Sequence, residues 1–506
     1  YVVDMRYPQA LTATAVGHAA LFTGAAPRQS GICANQRLND EGTEVDGILK
    51  DPAVNVVTND GPNLERKGSS IAVLKVSTVA DQLRRAVPDA TIVSVSFKDR
   101  GAMFGGGRRP TATLWFDWRT KQFVTSTGLA PRLPPWAKAF NAKKRPDELL
   151  ATPWTLVDRA WTAERAQVED AAPGEGDFGG LGTTFPHDAA ATETPGRAIR
   201  ATPYADQLVL ELAQEAIAVA RQDAPLLLAV SLSGNDYVGH VFGPHSWESW
   251  ENLRRLDAAL ADFFRVLDNA YGPDGYAVVL SADHGVAPTP ESMINPALKS
   301  HCRAVPEADR SRCQNGVRFD PKAMFEKLEA VAANLLGPGE WLLDESFPFI
   351  YLTKDARNLP GAKRMALDQA IVKTLERYPA IRRAVVAANT PPTCPPYDDD
   401  SLDALVCRSI YPGATGDYYL VMEPGAYTDV GYAPGKGANH GTPYLYDRSV
   451  PLLVRAPGRV ERNVRIEQPY DMRSYARTIA DLLGIEPPSA AVGGRSLVAD
   501  QPRRSR

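Results

Sequence analysis

Short apolar runs that end in polar clusters recur along the chain. Thr91-Ile92-Val93-Ser94-Val95-Ser96-Phe97 runs into Lys98-Asp99-Arg100, Leu226 to Leu232 into Ser233-Gly234-Asn235-Asp236, and Tyr276 to Leu280 into Asp283-His284. Runs that are apolar on both faces suit buried parallel strands with helices on either side. Helical periodicity fills the intervals. Thr78 is placed to cap a helix through Val79, Leu83 and Ala86 before a Pro88-Asp89 turn. Ser246 precedes Leu253, Leu256, Leu260, Phe263 and Leu267, a stripe at i, i+3/i+4 spacing with charges opposite. This alternation predicts an α/β fold with a central, mostly parallel sheet flanked by helices. Ligands of such sheets gather beyond the carboxyl ends of the strands, where each of these polar clusters falls.

Two stretches break the rhythm. Residues from about 101 to 224 are rich in Gly, Pro and Trp, with a hairpin expected around Leu114-Trp115-Phe116-Asp117-Trp118, and residues from about 290 to 430 carry paired cysteines and many prolines. Both are expected to be insertions forming a cap over the strand ends, within one catalytic domain spanning 1–506.

Composition narrows the classes. A formal net charge of -4 argues against a dedicated binder of nucleic acid or anionic membrane. No apolar run approaches the roughly 20 residues needed to span a bilayer. Of five cysteines, Cys302/Cys313 and Cys394/Cys407 form two local pairs without CxxC metal spacing, and Cys33 is left over. Two short-loop disulfides in an oxidising compartment are expected, so a periplasmic or secreted location; buried free thiols are the competing reading.

The candidate chemistry sits in four places. Asp236 and His240, four apart, share one side of a helical turn about 5–6 Å apart and can share a metal; alone, such a pair is more often a solvated turn. Asp283-His284 directly follows an apolar strand, where adjacent side chains can diverge toward one ion; otherwise Asp283 merely caps the next element. His440 lies in a Gly-rich loop before Val450-Pro451-Leu452-Leu453-Val454. Together these are five ligands of the types zinc prefers. The fourth place is Thr12-Ala13-Thr14-Ala15-Val16-Gly17-His18, a small-residue turn opening an apolar helix. Backbone N–H groups there would face an incoming anion. A Thr14 hydroxyl needs metal activation to become a nucleophile; without one it is simply an N-cap.

The set Thr14…Gly17-His18…Thr23-Gly24, Gly31-Ile32…Asn35, Lys98-Asp99-Arg100, Asp236…His240, Asp283-His284 and Asn439-His440-Gly441 resembles the alkaline phosphatase superfamily. More narrowly it is similar to PafA-type, phosphate-irrepressible alkaline phosphatases and their nucleotide pyrophosphatase/phosphodiesterase cousins, from about Leu11 to the terminal Asp471…Leu483-Gly484-Ile485 helix. The resemblance implies two zinc ions. Asp236, His240 and His440 would hold one, Asp283 and His284 the other, which also binds the Thr14 oxygen. Asn35 would donate to a nonbridging phosphate oxygen, while Lys98 and Arg100 clamp the rest. Thr14 would attack phosphorus to give a phosphothreonine, later released by water. The Lys98/Arg100 pair favours monoesters, whose dianion offers three nonbridging oxygens to two cations. Small-molecule phosphate esters acted on by a monomer with broad specificity are therefore the expectation. The rivals are a phosphodiesterase or nucleotide pyrophosphatase, and a non-catalytic zinc-binding pseudoenzyme or inactive fragment.

The resemblance also implies a further zinc-ligating aspartate on a strand well upstream of the nucleophile. Thirteen residues precede Thr14, and Asp4 is too close to it in sequence. The expectation is that this chain lacks its first strand, first helix and export signal.

Overall fold

The computed structural model describes residues 1–498 except 167, 222, 295–301, 303–304, 306–312, 314–315 and 429–434. Its frame is an α/β body with mixed sheets. In the largest, six strands run in the order Gly61–Ser69, Lys50–Thr58, Gln122–Ser126, Ala112–Asp117, Thr91–Ser96, Leu226–Ser231. Thr91–Ser96 is parallel to both its neighbours, Ala112–Asp117 and Leu226–Ser231, whereas the pairs beyond Ala112–Asp117 are antiparallel. A four-stranded sheet follows the order Val278–Leu280, Ser449–Arg455, Val2–Arg6, Tyr470–Asp471. Val2–Arg6 is parallel to Tyr470–Asp471 and antiparallel to Ser449–Arg455, so both sheets are mixed rather than mostly parallel.

The apolar runs do not share one fate. Thr91–Ser96 is buried along nearly its whole length, with helix Tyr204–Ala218 packed on it. Leu226–Ser231 is only half-buried throughout, and Leu280 is 37% exposed. Both belong to strands at the edge of their sheets, paired on one side only, so hydrophobicity alone did not distinguish interior from edge.

Local signals in the helices were reliable. Helix Val79–Ala86 starts on Thr78 with a complete capping box: the Thr78 hydroxyl accepts from Asp81 N–H, and Asp81 accepts from Thr78 N–H. Helix Trp247–Tyr271 starts on Ser246, whose hydroxyl accepts from Ser249 N–H. It buries Phe263 and Leu267 while Leu253 stays exposed.

Part of the 101–224 stretch pairs into this body. Its hairpin, Ala112–Asp117 with Gln122–Ser126, adds two strands to the six-stranded sheet. The later stretch builds its own layer. Strands Leu342–Ser346, Phe349–Leu352, Tyr418–Met422 and Ile381–Val386 form an antiparallel sheet with helices Pro321–Leu336 and Gly361–Leu375 against it. Its other face packs Phe349, Tyr351, Tyr419 and Val421 onto Ala10, Leu11, Ala13 and Val16. The second sheet therefore buttresses the segment that carries Thr14. Two disulfides, Cys302–Cys313 and Cys394–Cys407, close loops of this region, and Cys33 is free and buried, as the spacing predicted.

Candidate active site

Helix Thr14–Thr23 opens without a side-chain cap. Ala13 is the residue at its N-terminus, and Thr14 is the first helical residue, 4% exposed, so the simple N-cap reading of Thr14 is set aside. The capping function comes from elsewhere: Asn35 Oδ1 accepts the Ala15 N–H at 3.0 Å. With its oxygen so engaged, the Asn35 amide turns its NH2 group away as a donor. Gly17 is required by the approach of a second loop, since a Cβ there would lie 2.1 Å from the Asp283 carbonyl oxygen.

Helix Gly234–Phe242 carries Asp236 and His240 one turn apart. Its first amides, Gly234 and Asn235 N–H, are held by the fully buried Asp206 carboxylate at 2.7 and 3.0 Å. Burial raises the Asp206 pKa to about 6 against those two hydrogen bonds. Asp283 and His284 follow the Val278–Leu280 strand, and Tyr7 ties the preceding turn by donating to the Ala282 carbonyl at 2.7 Å.

These loops converge. Nε2 of His240, His440 and His284 lie 3.4, 3.8 and 3.9 Å from one atom, Asp236 Oδ1. His284 Nε2 is also 3.4 Å from Asp283 Oδ2. The ligand atoms of Asp236, His240 and His440 all fall within 4.8 Å of one another, as a single ion requires. Each imidazole is oriented by its other nitrogen: Nδ1 donates to the carbonyls of Ala438 (2.9 Å), Thr12 (2.6 Å) and Gly285 (3.1 Å) for His240, His440 and His284. A carbonyl can only accept, so each Nε2 is left as a lone-pair donor toward the cluster. His284 Nε2 is buried without a hydrogen-bond partner. That orphaned atom, beside two carboxylates and two further imidazoles, fits a borderline-soft metal. His284 touches both predicted ligand sets, its ring stacked 3.4 Å from that of His440, so the five side chains form one continuous cluster.

Electrostatics supports the same use. Burial opposes ionisation of Asp236, but His240, Lys98, His284 and His440 outweigh it and hold its carboxyl well below the usual range. Burial likewise works against Asp283, while His284 and His18 keep it low. Burial pushes the His440 and His240 imidazoles down, so both favour the neutral form that binds metal.

The two residues expected to clamp phosphate face acids of the chain itself. Lys98 sits at the N-terminus of helix Asp99–Gly106 and pairs with Asp236 Oδ2, its ammonium 4.3 Å over the Tyr237 ring. Arg100 lies one helical residue further, 3.4 Å from Asp99, with Nε buried and unpartnered. Asp4, dismissed as a ligand from its position, is bound to Arg6 and Ser449.

Three residues, His18 of the quoted motif among them, were given no role by the sequence. His18 donates from Nδ1 to the Thr14 carbonyl at 2.8 Å, lies 3.2 Å from Asp283 Oδ2, and meets Ser231 Oγ through Nε2 at 2.8 Å. Its i+4 spacing from Thr14 was the available signal. Asp206 and Asp447 had none, because their partners are distant in sequence or sit in backbone amides. Asp447 Oδ2 accepts from Gly441 N–H, Thr442 N–H and the Thr442 hydroxyl, while its carbonyl accepts from Gly285 N–H at 2.8 Å. It clips the His440 and His284 loops together.

The chain is similar to several proteins named alkaline phosphatase. Alkaline phosphatase PafA of Elizabethkingia meningoseptica is 30% identical, over 95% of this chain and 84% of that protein. Alkaline phosphatase PhoV of Synechococcus elongatus is 29% identical, over 96% and 84%. The crystal structure of wild-type PafA superposes with a TM-score of 0.84, 28% identity, and coverage of 98% of this chain and 91% of that one. The model of the type I phosphodiesterase / nucleotide pyrophosphatase family matches residues 3–442. With most of its length matched to that model, and with the PafA fold around a convergent cluster of imidazoles and carboxylates, the chain belongs to the type I phosphodiesterase / nucleotide pyrophosphatase family.

Proposed function

We propose that this chain is an alkaline-phosphatase-type phosphoric monoester hydrolase of broad specificity, working through a phosphothreonine on Thr14 with two zinc ions. One observation carries the reading. The helix that Thr14 opens is held against both ligand loops, by His440 on the Thr12 carbonyl and by Gly17 on the Asp283 backbone. The Thr14 turn is thus tied to the cluster, whose Asp236 also holds the Lys98 ammonium.

Asp236, His240 and His440 would hold one zinc, Asp283, His284 and Thr14 the other. Zinc at these side chains would supply Lewis-acid stabilisation of charge on the entering and departing oxygens. The chain's own groups do the rest. The N-terminal amides of helix Thr14–Thr23 and the Asn35 NH2 receive nonbridging phosphoryl oxygens. Lys98, tethered to Asp236, and Arg100 stand ready to share the dianion's remaining charge. The Thr14 oxygen attacks phosphorus in line and the ester alcohol departs with a proton; water then attacks the phosphothreonine, freeing inorganic phosphate and restoring the hydroxyl. His18 fixes the Thr14 turn through its carbonyl and keeps Asp283 ionised.

The description of the matched family keeps a second reading, a phosphodiesterase, in play. A diester carries one charge and a second organic group, so Lys98 and Arg100 would crowd it. The two disulfides favour a periplasmic or secreted site of action, and a monomer is the expected state.

The test is steady-state hydrolysis of p-nitrophenyl phosphate and methyl p-nitrophenyl phosphate, with and without zinc, for wild type and Thr14→Ala. Zinc-dependent monoester turnover that far exceeds diester turnover and disappears in Thr14→Ala is expected. Preference for the diester would replace this reading with the second one. Zinc binding without turnover would leave a metal-binding pseudoenzyme.

A further inference from the structure

One acid outside the cluster holds both ligand loops. Asp447 is fully buried in the short helix Leu445–Arg448. Its Oδ2 accepts from Gly441 N–H at 3.1 Å, from Thr442 N–H at 2.8 Å and from the Thr442 hydroxyl at 2.6 Å. Those donors belong to the two residues that follow His440. Its backbone carbonyl accepts from Gly285 N–H at 2.8 Å, and Gly285 follows His284. The second junction needs a glycine, because a Cβ at Gly285 would lie 2.2 Å from the Tyr446 carbonyl oxygen. One residue therefore fixes the His440 loop through its side chain and the His284 loop through its main chain.

The rings carried by these loops do not hold themselves in place. His284 and His440 stack with centroids 3.4 Å apart and planes 19° from parallel. Aromatic pairs left to themselves prefer offset or edge-on arrangements with centroids about 4.5–7 Å apart, so the face-to-face approach is imposed by the frame. Asp447 belongs to that frame at some expense of stability. Its Oδ1 is buried without a hydrogen-bond partner, and backbone amides and a hydroxyl, not a cation, face its Oδ2. A buried acid with a bare oxygen destabilises the fold, which points to a role in shaping the site.

We propose that Asp447 is the positioning residue of the metal centre, setting the His440 loop in register with the His284 loop so that neither ligand set keeps its geometry alone. The inference deepens the zinc reading of this cluster and rests on it. Asp447 is not itself a ligand. It acts through the placement of His440 Nε2 and His284 Nε2, which lie 3.8 and 3.9 Å from Asp236 Oδ1. Loss of a group that orients ligands costs about 10–100-fold in metal affinity. Here both ligand sets should weaken together, because His440 belongs to one and His284 to the other. A group that served the fold alone would lower Tm and leave the affinity unchanged.

The experiment does not depend on turnover. Cobalt(II) replaces zinc as the probe, titrated into metal-free protein and read by its visible absorption, which reports coordination geometry; the Tm of the metal-free protein is measured alongside. Wild type is expected to bind two equivalents. So is Asp400→Asn, which alters the ion pair with Arg448 on the same short helix, away from either ligand loop. Asp447→Ala should weaken both equivalents by about 10–100-fold and change the spectrum, and Asp447→Asn, which keeps an acceptor oxygen, should fall between. Unchanged affinity and spectrum in Asp447→Ala, with or without a lower Tm, would overturn the inference. So would weakening of one equivalent only, which would confine Asp447 to one loop. If wild type binds no cobalt, or a single equivalent, the two-zinc reading fails first and the inference with it. Should Asp447→Ala not fold, Thr442→Val, which removes one of the three donors, decides. A loss of roughly fivefold at both equivalents is then expected, the worth of one hydrogen bond, and no loss overturns the role.

Discussion

Asp236 and Glu175 are both carboxylates withdrawn from water, and their surroundings push them in opposite directions. Asp236 is ringed by three imidazoles and the Lys98 ammonium, which overcome burial and keep it ionised. At Glu175 burial and the charges of Glu248 and Asp170 outweigh the Ala172 amide and Lys436, so the neutral form is favoured. The lesson is that burial does not set the state of an acid; the number and sign of the groups gathered around it do. Asp236 is pre-charged for a metal, whereas Glu175 favours its proton.

The comparison breaks most sharply at Asp236. Asp236→Asn removes the negative charge on which three imidazoles converge and breaks the Lys98 ion pair, so zinc binding by direct titration and monoester turnover should both fall below detection. Next in size is the clamp. Lys98→Ala is expected to lower monoester kcat/KM by about 10²–10³, as for loss of one transition-state charge donor, with little change on a diester. An equal loss on both substrates would show that Lys98 serves only to position Asp236. Asp206→Asn acts at one remove, by loosening the helix N-terminus that presents Asp236 and His240. Metal affinity should drop by roughly 10–100-fold, the usual cost of losing a group that orients a ligand, and unchanged affinity would relieve Asp206 of that role.

The smallest effect concerns pH, and here the two centres have opposite signs. His240 and His440 have folded pKa values below the ordinary 6.5. Their contribution is complete above 6.5 and is lost as pH falls toward the folded values, so the metal-free protein should weaken on acidification. Glu175 has a folded pKa raised from 4.5 to about 9. Its contribution is complete below 4.5 and is lost as pH rises through about 9. Glu175→Gln should therefore flatten the decline of Tm between those limits. A profile identical to that of wild type would mean that Glu175 titrates as an ordinary glutamate.

Legibility in the sequence followed the range of the signal. The Thr78 and Ser246 caps, the metal helix and both disulfides were readable because their partners lie within a few to a dozen residues. The ligand residue types were readable because Asp and His at strand ends are chemically specific. Asp206 and Asp447 were not, since each acts on backbone amides, which every residue but proline offers. The hairpin at Ala112–Asp117 was foreseen, yet its membership of the main sheet was not: pairing with Thr91–Ser96 is decided by register and neighbours, not by local pattern.

By itself the sequence determined the α/β alternation, the helix starts, the local grouping of four cysteines and the identity of the side chains that gather at the cluster, because capping, periodicity and ligand chemistry are local properties. Tertiary structure alone decided which apolar strands are interior and which are edges, that three Nε2 atoms meet at one Asp236 oxygen, and that Lys98 turns to Asp236. It also decided that Glu175 is withdrawn from water without a partner. Charge and burial act through space, over segments brought together from far apart in the chain, and a linear pattern carries no record of that distance.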